Sequence, residues 1–324
     1  MQPLITEGFH HVTLVATDTA RSAGFYRDLL GLGLLERAED PDAPGAHHLY
    51  FGAADGSPGT LLTVQERPGA TRGAWGVGGV HHVALGVEDE AGLLKWKRRL
   101  TDHGVPVTGP YDRGWFHSIY FTDADGQIVE IATHGPGYDL DEPMDALGEL
   151  TVQPRQQNLS GLRDEAAIRA RTHPEPVPEV TPDMALTGIH HVSGITDSVE
   201  RAHEFYTGAL GLRIVKRTVN QDAPGMPHWF WANYDGARVL PHSAMTLFGI
   251  PRGKRAREGA GQLHHVAFRA RDDAELAAWS EHLRSLGVEV GPVRDRAYWR
   301  SISFRAPDGQ LLEIATDGPG FRAG

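Results

Sequence analysis

The chain contains no cysteine. That absence excludes disulfides, thiolate nucleophiles, zinc fingers and cysteine-ligated iron–sulfur clusters, and it leaves histidine and carboxylates to supply any metal site. It also suits a reducing compartment, so a cytoplasmic location is expected. Positive charge is scarce as well. Lys and Arg number 31 against 42 Asp and Glu, a formal net charge of −11, which repels phosphate backbones and anionic lipid surfaces and excludes nucleic acid and membrane as partners. Long apolar runs are missing too. No stretch approaches the roughly 18–20 consecutive apolar residues of a membrane span, and Met1 to Phe9 has neither a basic start nor an apolar core, so the chain reads as soluble and unexported.

What is present is length and repetition. With 324 residues, 40% of them hydrophobic, the chain is long enough for two domains that each bury a core. Four segments open on His-His-Val: His10-His11-Val12, His81-His82-Val83, His190-His191-Val192 and His264-His265-Val266. Alternating apolar residues follow each triplet, the period of a strand with two different faces, and then an acidic residue (Asp18, Asp89, Asp197, Asp272) placed to cap a helix. Helical spacing comes next. Phe25, Leu29 and Leu32, Phe205, Ala209 and Leu212, Trp96 and Leu100, and Trp279 and Leu283 recur at three or four residues, and Gly31, Gly211, Gly104 and Gly287 stand where those helices end. Each unit therefore reads strand, helix, then several strands. The third and fourth units repeat the first and second, so the chain is a duplicated pair.

The proline-rich, charged stretch from Tyr138 to Gly188, with Pro174, Pro176, Pro178 and Pro182, is the natural connection between the halves, and Leu162 to Arg171 predicts one short helix in it. The expected units are residues 1–137 (modules 1–67 and 78–137), a linker over 138–187, and residues 188–324 (modules 188–251 and 262–321).

The second and fourth modules each carry an Asp-Gly turn, Asp125-Gly126 and Asp308-Gly309, entering a strand that holds a glutamate between aliphatic residues: Glu130 between Val129 and Ile131, Glu313 between Leu312 and Ile314. A carboxylate in a half-buried strand is costly unless it pairs, hydrogen-bonds or binds a metal. Glu130 follows His82 at the same separation as Glu313 follows His265. An imidazole and a carboxylate from one module, joined by an imidazole from another, give a facial two-His-one-carboxylate set with open coordination positions, which suits Fe(II) oxygen chemistry.

Four such units opening on His-Val and closing on Asp-Gly-x-x-x-Glu resemble the vicinal oxygen chelate superfamily of glyoxalases, bleomycin-resistance proteins and extradiol dioxygenases. The runs from Val215 to Gly225, His48 to Gly52 with Gly56 to Thr60, and Ile314 to Phe321 are similar to hydroquinone-type ring-cleaving dioxygenases. The resemblance implies an α+β fold in which four βαβββ modules form two open, barrel-like mixed β-sheets with flanking helices. It implies an Fe(II) centre, with Mn(II) accepted by the same ligands, that takes O2 as co-substrate and a small dihydroxylated aromatic such as a hydroquinone or catechol. By the family's pattern the ligands are His11, His82, His191, His265, Glu130 and Glu313, and an arginine, a tyrosine and a strand threonine around the aromatic fall on Arg113, Tyr120 and Thr13. The matching positions in the second half are Arg296, Ser303 and Ser193, without the phenol. The main reaction is therefore expected at His11, His82 and Glu130, with Tyr120 handling protons and Arg113 stabilising oxyanion charge.

Module pairing stays open at this point. Pairing of the first and second modules joins His11, His82 and Glu130, whereas pairing of the first and fourth, as in the related dioxygenases, joins His11 to His265 and Glu313. Homo-oligomerisation also stays open. The preceding histidines His10, His81, His190 and His264 are expected on the opposite strand face, by simple alternation. His47, His48 and His228 lie near aromatic residues and remain unassigned. A glyoxalase-like lyase would require a second glutamate per metal, near where Thr63 and Thr246 stand, and a metal-free aromatic-binding protein would need no His-Glu set.

Overall fold

In the computed structural model, residues 4–40 and 43–321 are described. All four modules have the expected order. The first is β1 (Phe9–Ala16), α1 (Thr19–Ala23, running on as a wider π-helical turn over Gly24–Leu29), β2 (Gly33–Glu39), β3 (His47–Gly52) and β4 (Leu61–Glu66). The second is β5 (Val80–Val87), α2 (Glu90–Asp102), β6 (Thr108–Asp112), β7 (Phe116–Thr122) and β8 (Ile128–Pro136). In the linker α3 spans Glu165–Ala170, inside the stretch expected to be helical. The third module is β9 (Ile189–Thr196), α4 (Val199–Gly208), β10 (Arg213–Asn220), β11 (Ala223–Ala232) and β12 (Ala244–Gly249). The fourth is β13 (Gln262–Ala270), α5 (Asp273–Ser285), β14 (Arg294–Asp295), β15 (Trp299–Arg305) and β16 (Leu311–Pro319).

Local chemistry explains most of the boundaries. The carboxylates of Asp18, Asp89 and Asp272 accept from backbone N–H groups of the first helical turns. In the third module the cap is Ser198 rather than the expected Asp197. Its hydroxyl accepts from Arg201 N, while Asp197 pairs instead with the Arg201 guanidinium. Helices α2 and α5 stop where Gly104 and Gly287 take up φ of +75° and +77°, left-handed backbone that glycine adopts without a Cβ penalty.

The strands join into two eight-stranded mixed sheets, each open at both ends, in the orders β14-β15-β16-β13-β1-β4-β3-β2 and β10-β11-β12-β9-β5-β8-β7-β6. Each sheet is built across the halves. β1 pairs antiparallel with β13, and β5 with β9, so the first module shares a sheet with the fourth and the second with the third. The expected units 1–137 and 188–324 are therefore not the units of the sheets: each contributes one module to each sheet. Nor is the connection loose. The indole of Trp96 donates to Met184 O (2.6 Å), the Lys97 ammonium donates to the carbonyls of Ile168, Arg169 and Arg171, and buried Lys216 pairs with buried Glu142 at 2.7 Å.

The valines that follow the paired histidines, Val12, Val83, Val192 and Val266, are all fully buried in one apolar cluster shared by the four modules and by the helix residues Trp96, Leu100, Trp279 and Leu283. Strand alternation turns the histidine before each valine to the other side. Among the described residues no helix is long and apolar enough to cross a membrane.

Candidate metal centres

Register brings the expected ligands together. In the second sheet Ala84 of β5 lies opposite His191 of β9 on one side and Glu130 of β8 on the other, while His82 is two residues back on the same face. In the first sheet Ala267 of β13 lies between His11 of β1 and Glu313 of β16, and His265 is again two residues back. A methyl group at the middle of each row leaves room for two imidazoles and a carboxylate to converge over it.

They do converge. Glu130 Oε2 is 2.9 Å from His82 Nε2 and 3.2 Å from His191 Nε2, and the two nitrogens are 3.3 Å apart. In the other centre His11 Nε2 is 3.0 Å from His265 Nε2, which is 3.5 Å from Glu313 Oε2. In each trio the ligand atoms all lie within 4.8 Å of one another, and all six residues are buried. The centres are thus His82, His191 and Glu130, and His11, His265 and Glu313. The expected trio of His11, His82 and Glu130 is not formed, because β1 and β5 lie in different sheets.

The arrangement fits a shared cation. Both Glu130 oxygens are buried, and despite the short contacts neither meets hydrogen-bond geometry with a donor, a state that is costly without a metal or proton between the groups. Burial alone pushes the Glu130 carboxyl up, but the imidazoles of His191 and His82 in contact with it outweigh that and hold the group well below the usual carboxylate range. Burial pushes His11 and His82 down, and His265 down to about 3, keeping these imidazoles neutral with a lone pair to give.

The preceding histidines do not face away. In all four modules the strand register skips one residue at the first histidine of the pair, between Phe9 and His11, Val80 and His82, Ile189 and His191, and Leu263 and His265. These β-bulges re-aim the side chain, and the two rings of each pair meet Nδ1 to Nδ1 at 2.8 Å. Two such nitrogens attract only if one carries a proton. A histidine that offers Nε2 to a metal carries its proton on Nδ1, so each candidate ligand donates to its predecessor, which accepts with a lone pair. Burial holds the predecessors His10, His81 and His264 down to about 4, 3 and 3, and His190 well below its ordinary value, consistent with neutral acceptors.

The lining of the two centres differs most plainly beside the glutamate, where Tyr120 of one stands against Ser303 of the other. Tyr120 is the cross-strand partner of Glu130, and its ring centroid is 5.6 Å from that of His82. The Arg113 guanidinium lies 5.1 Å from the Tyr120 ring centroid and donates to Gln221 Oε1 at 2.9 Å. Burial, with Glu130 nearby, raises the Tyr120 phenol above its ordinary value in spite of Arg113. Tyr120, Arg113, Trp115, Phe116 and Phe230 wall a cavity of about 360 Å³ that opens onto His82 and His191.

Thr13, expected beside Tyr120 and Arg113, is instead in the other centre, 3.1 Å from His265 Nε2. Ser193 has the corresponding place here. Each hydroxyl continues a matching chain: Ser193 Oγ to Thr246 Oγ1 (2.7 Å) to His228 Nε2 (2.9 Å), and Thr13 Oγ1 to Thr63 Oγ1 (2.8 Å) to His48 Nε2 (3.0 Å). Sequence pattern alone gives His228 and Gln221 no role. The signal for His228 was there, because it follows His191 at the same offset at which His48 follows His11.

Comparison with known proteins places this geometry in a family. Residues 8–131 and 188–314 match the model of the Glyoxalase/Bleomycin resistance protein/Dioxygenase superfamily. The protein named "Putative ring-cleaving dioxygenase MhqO" of Bacillus subtilis is 30% identical over 98% of this chain and 86% of its own length. The chlorohydroquinone/hydroquinone 1,2-dioxygenase of Sphingobium indicum is 26% identical over 97% of this chain and 86% of its own. A crystal structure of a "putative dioxygenase" from Bacillus subtilis, 29% identical, superposes with a TM-score of 0.77 over 98% of this chain and 88% of that one. Glyoxalase I from Zea mays, 16% identical, shares the fold with a TM-score of 0.63 over 96% and 92%. The matched residues take in all four modules and all six candidate ligands, and the chain belongs to the Glyoxalase/Bleomycin resistance protein/Dioxygenase superfamily.

Proposed function

We propose that the chain is a metal-dependent ring-cleaving dioxygenase acting on a dihydroxylated aromatic, a hydroquinone or catechol, with its main centre at His82, His191 and Glu130. The observation that carries this reading is the meeting of a complete two-His-one-Glu set with Tyr120 and Arg113 in one aromatic-walled cavity. The names of the Sphingobium indicum and Bacillus subtilis relatives support the substrate class.

His82, His191 and Glu130 would hold Fe(II), or Mn(II), with open positions for the substrate hydroxyl and O2. When bound, that ion supplies the electron transfer between ring and oxygen. The rest falls to the chain. Phe116, Phe230 and Trp115 hold the ring by apolar and edge contacts and keep bulk water from it. Tyr120, with its phenol protonated, donates a hydrogen bond to a substrate oxygen and can pass that proton on. Arg113 stabilises developing oxyanion charge, and Gln221 fixes its direction. His81 and His190 hold the tautomers of the two ligand imidazoles.

His11, His265 and Glu313 form a second metal centre of the same donor set. Ser303 stands where the phenol would be, so this centre turns substrate over poorly. A cytoplasmic setting would keep the iron ferrous. The lyase reading is disfavoured by Thr246 and Thr63, whose hydroxyls are committed to Ser193 and His228, and to Thr13 and His48.

The test is metal analysis and O2 uptake on protein purified without air and loaded with iron. Consumption of O2 with a ring-opened product from a hydroquinone or catechol is expected. Iron-loaded protein that consumes none with any dihydroxylated aromatic overturns the proposal.

A further inference from the structure

A second polar cavity lies away from the aromatic one, where the two crossover segments between modules run side by side. These segments touch through Arg72 and Ala260, Ala74 and Arg257, and Val77 and Arg255. The cavity, about 160 Å³, is bounded by residues 77–80, by Arg255, Arg257, Arg305 and Gln310, by the carboxylates of Glu258 and Asp308, and by His264 and His265, the latter a candidate ligand of the second metal centre.

Two independent features define what it can hold. The first is charge. Each of the three guanidiniums donates to a backbone carbonyl: Arg255 to Asp308 O (2.6 Å), Arg257 to Arg72 O (3.0 Å) and Arg305 to Gly309 O (2.6 Å). A carbonyl orients a guanidinium without neutralising it. Of the two lining carboxylates, Glu258 pairs with Arg305 at 3.9 Å and that of Asp308 is occupied by Arg201 and Thr196, so that among the described residues Arg255 and Arg257 keep their charge without a carboxylate partner. The cavity therefore keeps an excess of positive charge, although the chain as a whole is acidic.

The second feature is an open donor. Gln310 is 6% exposed; its Oε1 accepts from the Tyr206 hydroxyl at 3.0 Å, while its Nε2 is buried with no acceptor. The equivalent Gln127 in the second module has its Nε2 bonded to Ile128 O at 2.9 Å and is left instead with an unpartnered Oε1, so of the two glutamines Gln310 is the one with an unpaired donor. A buried N–H without an acceptor is costly, and a ligand that supplies one is favoured. A cation would meet like charge, and an apolar ligand would leave both the arginines and the amide unmatched.

We propose that this cavity binds a small oxyanion, of the class of inorganic phosphate, sulfate or a free carboxylate, with Gln310 donating from within and the arginines from the rim. It lies apart from the cavity at His82 and His191 and does not depend on ring cleavage there, but it reaches His265 of the second candidate metal centre.

The experiment is calorimetric titration of phosphate, sulfate and acetate, each in turn, into metal-loaded protein at ionic strength held constant with chloride. One of the three is expected to bind one-to-one. Arg305→Ala and Arg257→Ala are each expected to weaken that binding at least tenfold, with wild-type metal content and melting temperature. The identity of the anion that binds separates a phosphate or sulfate site from a carboxylate site. No binding beyond that of chloride overturns the proposal. So does binding that persists in both variants but disappears when the metal is removed, because the anion would then be on the metal.

Discussion

Tyr120 and Ser303 occupy the same place in the two centres, each paired directly across strands with its centre's glutamate, Glu130 or Glu313. The hydroxyl and histidine chains repeat in the two sites, so the phenol beside the glutamate is a difference that falls directly at the candidate ligands. Tyr120→Phe is expected to lower kcat by about 10²–10³-fold, the range of a lost general acid or base, and to leave iron content unchanged. Glu130→Ala should lower both. Oxygen-electrode rates beside metal analysis decide it, and a Tyr120→Phe enzyme with wild-type turnover would remove the phenol from the mechanism.

The partner of His82 is His191, not His11. Ala substitutions at these two histidines should therefore separate cleanly. His191→Ala is expected to remove one of two bound metals and nearly all turnover. His11→Ala should also remove one metal but keep most of the turnover, because it touches only the centre that has Ser303 in the place of Tyr120. Metal-to-protein ratios and initial rates on the two variants check this, and equal loss of activity in both would contradict two independent centres.

The histidine before each candidate ligand accepts the ligand's Nδ1 proton across a 2.8 Å contact. Loss of such an outer partner commonly costs 10–100-fold in metal affinity. His190→Phe is thus expected to weaken metal binding at the Tyr120 centre by about that factor, read by chelator competition. His190→Asn, whose Oδ1 can stand near the lost Nδ1 as an acceptor, should recover part of it. Matching losses in both variants would point to packing rather than to the proton.

The same histidines mark the limit of what was legible beforehand. Repeats, helix caps at Asp18, Asp89 and Asp272, and six candidate ligands could be read because each rests on a local pattern: alternation, a capping side chain, a glutamate among aliphatics. The bulges at His10, His81, His190 and His264 could not. Strict alternation puts neighbouring residues on opposite faces, and a bulge is visible only in the partner strand's register. Pairing was hidden for a related reason. Antiparallel contact of β1 with β13 joins residues some 250 positions apart, and nothing within one module distinguishes that neighbour from β5. The place of Thr13 depends on the same pairing: β1 lies beside β13, so its hydroxyl meets His265 and not Tyr120.

That pairing makes a prediction about the chain as a whole. Each half presents one unpaired central strand edge to each sheet, and each candidate metal centre takes its residues from both halves. Neither half can complete a sheet or a centre, and a bare strand edge backed by an apolar face is prone to aggregation. A cut between Gly161 and Leu162, both exposed, crosses no strand. Fragments 1–161 and 162–324 produced separately are expected to aggregate or remain unfolded and to bind metal weakly. Produced together they should assemble one-to-one with the metal content of the intact chain, as measured by size-exclusion chromatography and metal analysis. A soluble, monomeric 1–161 fragment that holds metal at full affinity would mean that the first two modules can pair with each other, and that the crossed arrangement of the sheets is not required for the site.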